Sequence, residues 1–157
     1  GLATGVYTGT LCIDSNDADE PRVTLPLTLE VVTPSYTLNL SGDDAATGLV
    51  GTTVTYTMQV TNTSNVADVI DLTAVSANSW ATTLSDSSLA LDSGESATFW
   101  VWVVVPGDAA DDDMDDVTVM AMSQGDNSVM DTAVLTTTAE VPPPPSYMIY
   151  LPVIMKP

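Results

Sequence analysis

Phe99-Trp100-Val101-Trp102-Val103-Val104-Val105 decides the fold class. These are β-branched and aromatic side chains, the types that suit a pleated surface. A strand sends alternate side chains to opposite faces. Phe99, Val101, Val103 and Val105 therefore share one face, and Trp100, Trp102 and Val104 share the other. Val117-Thr118-Val119-Met120-Ala121-Met122 divides in the same way, into Val117, Val119 and Ala121 against Thr118, Met120 and Met122. Almost nothing in the chain reads as helix. Thr, Val and Ser dominate, apolar residues alternate, and turn signals recur at short intervals, as in an all-β sandwich.

Working outward, strands are predicted at Tyr36–Ser41, Thr52–Asn62, Ala67–Val75, Ala81–Leu84, Ser88–Leu91, Ser96–Val105, Asp116–Ser123 and Val129–Ala139. Ser41-Gly42-Asp43-Asp44, Asn62-Thr63-Ser64-Asn65, Asp92-Ser93-Gly94-Glu95, Pro106-Gly107-Asp108 and Gln124-Gly125-Asp126-Asn127 punctuate them as turns. Residues 35–141 thus read as a complete antiparallel sandwich. Residues 1–34 read as a partial β-domain, a hairpin of two alternating segments, with Val6, Leu11, Ile13, Val23, Leu25, Leu27, Leu29 and Val31 as its apolar set. A lone hairpin is marginal in water and needs a partner. Residues 142–157 form a third piece. Pro142 to Pro145 favour a stiff, extended spacer, and the strand that follows is apolar on both faces. Its candidate contact residues are Tyr147, Met148, Ile149, Tyr150, Leu151, Val153, Ile154 and Met155. A chain that opens at Gly1 in mid-domain, without an export leader, reads as a processed or trimmed one.

Charge narrows the class of partner. The 157 residues carry 2 Lys and Arg against 21 Asp and Glu, a formal net charge of −19. Nucleic acid and anionic membrane surfaces both demand basic patches, so neither is expected as a partner. No apolar run reaches the ~18 residues of a membrane-spanning helix, so membrane insertion is not expected either. Copies of such a chain must meet through apolar contact, backbone pairing or bridging cations, and salt screens their repulsion. At 45% hydrophobic residues a packed core is expected. The single cysteine, Cys12, excludes an intrachain disulfide and is expected to behave as a small buried hydrophobe.

Catalysis has little to work with. There is no His, and the only Lys is Lys156. General bases other than carboxylates are lacking, and no nucleophile, base and orienting group can be assembled, so an enzyme is not expected. Two acidic turns concentrate oxygen ligands of the kind calcium takes: Asp14, Asn16, Asp17 and Asp19 in one, and Asp111, Asp112 and Asp113 in the other. Neither follows the EF-hand spacing, and solvated acidic loops are common, so no cofactor is required and calcium is a candidate only. Asn39-Leu40-Ser41 and Asn62-Thr63-Ser64 match the glycosylation tripeptide, with Asn62 in a predicted turn and Asn39 in a predicted strand.

Val60-Thr61-Asn62-Thr63-Ser64-Asn65-Val66-Ala67-Asp68, Leu89-Ala90-Leu91-Asp92-Ser93-Gly94-Glu95-Ser96 and Val105-Pro106-Gly107-Asp108-Ala109 resemble a known module. It is the Ig-like β-sandwich repeat appended to secreted subtilisin-type proteases and prokaryotic cell-surface proteins. The resemblance spans most of residues 35–140, implies the Ig-like fold and a secreted or cell-surface location, and brings no catalytic residues. Gly5 to Leu27 resembles the closing strands of another such repeat, whose earlier strands would precede Gly1. Ile149 to Met155 also resembles short C-terminal tails of secreted bacterial proteins.

One signal runs against a simple soluble sandwich. The outer face should be polar, yet Trp100, Trp102, Val104, Met120 and Met122 are expected there. If their two strands are neighbours, they form a protein–protein interface with Trp as anchor and Met as adaptable filler. Together these features predict a structural subunit of an extracellular filament or surface assembly, a homopolymer in which the terminal strand inserts into the hairpin of a neighbouring copy. Two alternatives stand beside it. One is an accessory or adhesion region released from a larger secreted protease or surface protein. The other is a carbohydrate-binding module that stacks sugars on Trp100 and Trp102, which would require polar neighbours beside the rings.

Overall fold

The computed structural model describes residues 1–144, which fall into two units, Gly1–Ser35 and a second that begins at Tyr36. The described residues contain strands and turns and no helix.

In the first unit, β1 (Gly5–Asp14) and β2 (Arg22–Val31) pair antiparallel from Gly5↔Val31 to Asp14↔Arg22. The turn between them is held by its own polar groups. The Ser15 amide donates to the Pro21 carbonyl at 2.9 Å, and the Asp19 amide donates to Asp17 Oδ1 at 2.9 Å. The Arg22 guanidinium donates to Asp14 Oδ1 at 2.6 Å across the mouth of the turn. Both partners are exposed, so this pair contributes little stability.

In the described part of the second unit, nine strands build two sheets. One has the order β3 (Leu38–Leu40), β5 (Thr53–Asn62), β9 (Ser96–Val104), β7 (Thr82–Leu84). The other has the order β4 (Asp44–Leu49), β11 (Met130–Glu140), β10 (Met114–Ser123), β6 (Asp68–Ser76), β8 (Ser88–Leu91). The core lies between them. Tyr56, Met58 and Val60 of β5 and Phe99, Val101 and Val103 of β9 face Ile70, Leu72, Val117, Val119, Ala121, Ala133 and Leu135 from the opposite sheet, all buried. The fold is the all-β, Ig-like sandwich expected from the alternation. Predicted strands are found in place, with ends shifted by a residue or two.

β4 is the element that the sequence pattern misses. Asp44-Ala45-Ala46-Thr47-Gly48-Leu49 holds residues of low strand propensity and lies beside a turn signal. It forms because the chain changes sheets after β3, and β4 then runs parallel to β11, from Leu135↔Asp44 to Glu140↔Leu49. Two carboxylates secure the switch. Asp131 Oδ2 accepts from the Leu40 amide at 2.8 Å, and Asp43 Oδ1 accepts from the Val134 amide at 2.7 Å. Gly48 lets this strand approach the core, since a Cβ there would stand 2.5 Å from Val54 Cγ2 and 3.0 Å from Val105 Cγ2.

Buried polar groups tie the loops to this frame. Asn62, fully buried, donates from Nδ2 to the carbonyls of Val66, Leu91 and Asp92 at 2.9, 3.0 and 3.2 Å, and its Oδ1 accepts from the Ser64 amide at 3.0 Å. Asp115 accepts from the Ser76 hydroxyl at 2.8 Å and the Asn78 amide at 2.7 Å. The Tyr56 hydroxyl, bonded to the Thr136 carbonyl and Thr137 Oγ1 at 2.8 Å each, is pushed above its ordinary pKa chiefly by burial. Among the described residues no buried side-chain nitrogen or oxygen lacks a partner, as a native interior requires.

Candidate functional site

The hairpin concentrates the first set of candidate residues. Its register places Tyr7, Leu11 and Ile13 on one face opposite Leu29, Leu25 and Val23. Leu27 and Val31 complete that face, opposite Gly9 and Gly5. Leu11, Ile13, Val23, Leu25, Leu27 and Leu29 are each about half exposed, between 46% and 54%. Val6 departs from the expected set. It pairs with Glu30 and shares the other face with Thr8, Thr10 and Cys12, because one residue of offset reverses a side chain in a strand. Cys12 is also exposed and free, where a buried thiol was expected. Among the described residues, the two-stranded sheet leaves both β1 and β2 with an unpaired edge. The other half of the expected contact, Tyr147 to Met155, lies outside the described residues.

The second set is divided by the topology. Phe99, Val101 and Val103 are fully buried and Trp100 is 44% exposed, so the two faces of β9 are as predicted. β10 does not neighbour β9, however. β9 lies between β5 and β7, and β10 lies between β11 and β6 in the opposite sheet. Trp100, Trp102 and Val104 therefore occupy the outer face of one sheet, while Met120 and Met122 occupy the outer face of the other. The single Trp and Met patch expected from their adjacency does not form. Around the tryptophans the register sets Thr57 opposite Trp100, and Thr55 and Thr83 on either side of Trp102. Met122 instead stands between Met130 and Asp71, and Met120 between Thr132 and Thr73. Met130, 52% exposed, is an addition that alternation alone could have flagged.

Several oxygens of the acidic turns are engaged within the turns themselves. In the first, Asp14 pairs with Arg22, and Asp17 caps the Asp19 amide. In the second, Asp113 Oδ2 accepts from the Ala110 amide at 2.7 Å, and Asp111 Oδ1 accepts from the Val141 amide at 2.9 Å. Asp112 takes the left-handed conformation, φ 68°, that this turn requires. No group of three or more acidic, His or Cys side chains is gathered for a metal ion among the described residues. Asn16 and Asp19 are likewise exposed turn residues.

The glycosylation expectation is corrected at Asn62. Its amide nitrogen is buried and its two hydrogens are shared among three carbonyls, so no glycan can be attached there without disrupting that arrangement. Asn39 is the exposed member of the two, on the outer face of β3 opposite Thr61. The turn lies just after Asn62, which is the last residue of β5, and the Asn62 side chain is that turn's internal fastening, a role the tripeptide does not reveal.

An open cleft of about 430 Å³ lies at one end of the sandwich, lined by Asp68, Leu91, Asp92, Glu95, Gln124 and Gly125 among others. The Asp68 carboxylate is engaged by the Ser123 hydroxyl and by the amides of Val69 and Gly125. The cleft is thus built from loop fastenings rather than from free reactive groups.

Three solved structures are similar to part of this chain. A family 123 glycoside hydrolase from Clostridium perfringens aligns with a TM-score of 0.53 at 10% identity, over 72% of this chain and 28% of its own. The secreted serine protease VesC from Vibrio cholerae gives 0.49 at 14% identity, over 66% of this chain and 23% of its own. The Escherichia coli chaperone DraB gives 0.45 at 14% identity, over 68% of this chain and 56% of its own. The chain thus spans about a quarter of the length of the hydrolase and of the protease. No curated protein matches it. Residues 36–139, about two thirds of the chain and all of the sandwich but the last residue of β11, match the family of the VWA7 Ig-like domain, and the chain belongs to that Ig-like family.

Proposed function

We propose that this protein is a non-catalytic structural subunit of an extracellular filament or surface assembly, and that the β1–β2 hairpin is its acceptor site for a strand donated by another copy. One observation carries the reading. The hairpin presents a continuous apolar face, Leu11, Ile13, Val23, Leu25, Leu27 and Leu29, about half exposed, together with two strand edges that no other described residue pairs. Such an edge is a template for a further strand, and natural proteins usually blunt or cover it. The segment Tyr147-Met148-Ile149-Tyr150-Leu151-Pro152-Val153-Ile154-Met155 has the composition of a donor, apolar at successive positions and tethered by prolines. Added ladder bonds would supply register, and burial of the hairpin face would supply affinity. Transfer from copy to copy is a heterologous contact, which yields an open fibre where rotation does not close a ring. The net charge of −19 fits this mode, since the contact needs no ion pair and strengthens as salt screens the repulsion.

Size-exclusion chromatography and electron microscopy of residues 1–157 and 1–141 test the proposal. The full chain is expected to form oligomers or filaments, the shortened one to remain monomeric, and a synthetic peptide of residues 146–157 to cap growth. A full chain that stays monomeric and well folded would overturn it. The module would then be read as an accessory region of a larger secreted protein.

A further inference from the structure

We propose that the outer face of the four-stranded sheet binds a neutral polysaccharide, with Trp100 and Trp102 stacking on sugar rings and Thr55, Thr57, Gln59 and Thr83 supplying hydrogen bonds. The first ground is that the fold does not need these indoles. The inward residues of β9, Phe99, Val101 and Val103, already fill the core and are fully buried. Trp100 and Trp102 point the other way, two residues apart on one strand, which separates them by roughly 6.7 Å along the sheet.

The second ground is their surroundings. Thr57 is paired with Trp100, Thr55 and Thr83 flank Trp102, and Gln59 pairs with Thr98 one step along the strand. Thr55, Thr57, Gln59 and Thr83 are all exposed. Hydroxyls and amides thus border both rings, and each can donate and accept toward a sugar hydroxyl. A Trp ring adds an apolar face with a polar N–H, the combination that a pyranose ring with its C–H face and equatorial hydroxyls complements.

The third ground is charge. The chain carries 21 acidic residues, yet every outward position of β3, β5, β7 and β9 is uncharged. The outer face of the other sheet carries Asp71 and Asp116. A carboxylate, that of Asp86, stands at the edge beyond β7, where it accepts from the Ser85 hydroxyl at 2.7 Å. A platform uncharged along its strands, on a chain of net charge −19, suits a neutral partner and disfavours an anionic one.

A protein partner fits less well. Interface centres are contiguous and apolar, with Ser and Thr under-represented among their energetic anchors. Here the two indoles and Val104 are bordered by rows of Thr, and the methionines that would have enlarged the patch lie on the opposite sheet.

The test is retention of residues 1–157 on insoluble cellulose and on chitin, together with fluorescence titration against cellohexaose and chitohexaose. Trp80, 8% exposed in the core, serves as the unresponsive reference. Trp100→Thr and Trp102→Thr keep strand propensity and remove the rings. The wild type is expected to be retained on at least one of the two polymers, with the Trp emission shifting on titration. Each variant should bind about tenfold more weakly or worse at unchanged Tm. Two outcomes overturn the proposal: no retention of the wild type on either polymer, or retention that the variants share. Loss of self-association in the variants without loss of retention would assign the face to a second copy and would equally overturn it.

Discussion

β2 and β9 are written in the same code and meet opposite fates. Val23, Leu25, Leu27 and Leu29 alternate through β2, as Phe99, Val101 and Val103 alternate through β9. The β9 side chains are fully buried, whereas those of β2 are 49% to 53% exposed. β9 is paired on both edges and β2, among the described residues, on one, but ladder hydrogen bonds lie in the plane of a sheet and do not bury its faces. What separates them is a second sheet. Alternation specifies which face wants burial, but burial itself comes from a facing layer about 10 Å away. In the sandwich the chain brings its own layer. The two strands of the hairpin provide no such layer of their own.

Substitutions can break that comparison or sharpen it. The largest effect is expected at Phe99→Ala, which empties the centre of the sandwich and should cost about 3–5 kcal/mol in urea unfolding. Asn62→Ala should follow at about 3 kcal/mol, because it strips the Val66, Leu91 and Asp92 carbonyls of a buried donor. That result would show that a polar fastening rivals an apolar core residue in the completed unit. Tyr56→Phe should cost about 1 kcal/mol through loss of its bonds to Thr136 and Thr137.

Tyr56 also sets a pH dependence. Burial raises its pKa above 10.0, so the fold favours the protonated phenol. Its contribution is intact below the unfolded value and is lost as pH rises through the raised one. Unfolding midpoints followed into alkali should therefore fall beyond about pH 10, and less steeply in Tyr56→Phe. The smallest effect on stability is expected at Leu27→Ser, within about 0.5 kcal/mol in the monomer, although the same change should abolish assembly. A cost above about 1 kcal/mol in monomeric protein would mean that the hairpin face is already covered and would erase the contrast.

Much of this was legible in the sequence, and the failures share a cause. Face assignments on β9 and β10 were readable because period-2 alternation is local. Their partnership was not, because strand order depends on crossovers that no local pattern records, and Met120 and Met122 went to the far sheet. β4 was invisible because Ala45, Ala46 and Gly48 carry no strand signature, and only the packing of Val54 and Val105 explains why a residue without Cβ stands at 48. Asn62 read as a turn residue, and its side chain's internal role required the carbonyls of Leu91 and Asp92, thirty residues away, to come into view. The polar neighbours of Trp100 and Trp102 were likewise a matter of register with β5 and β7.

The parallel pairing of β4 with β11 has a mechanical consequence. Tension applied at the start of β4 and at the end of β11 pulls two parallel neighbours past one another in opposite directions. The pairs from Leu135↔Asp44 to Glu140↔Leu49 are then strained together in shear, rather than peeled open one after another as at the end of a hairpin. Forced unfolding is governed by the barrier to that first rupture. With tension applied at those two points, the parallel pairing is expected to hold longer than a hairpin end of the same number of pairs.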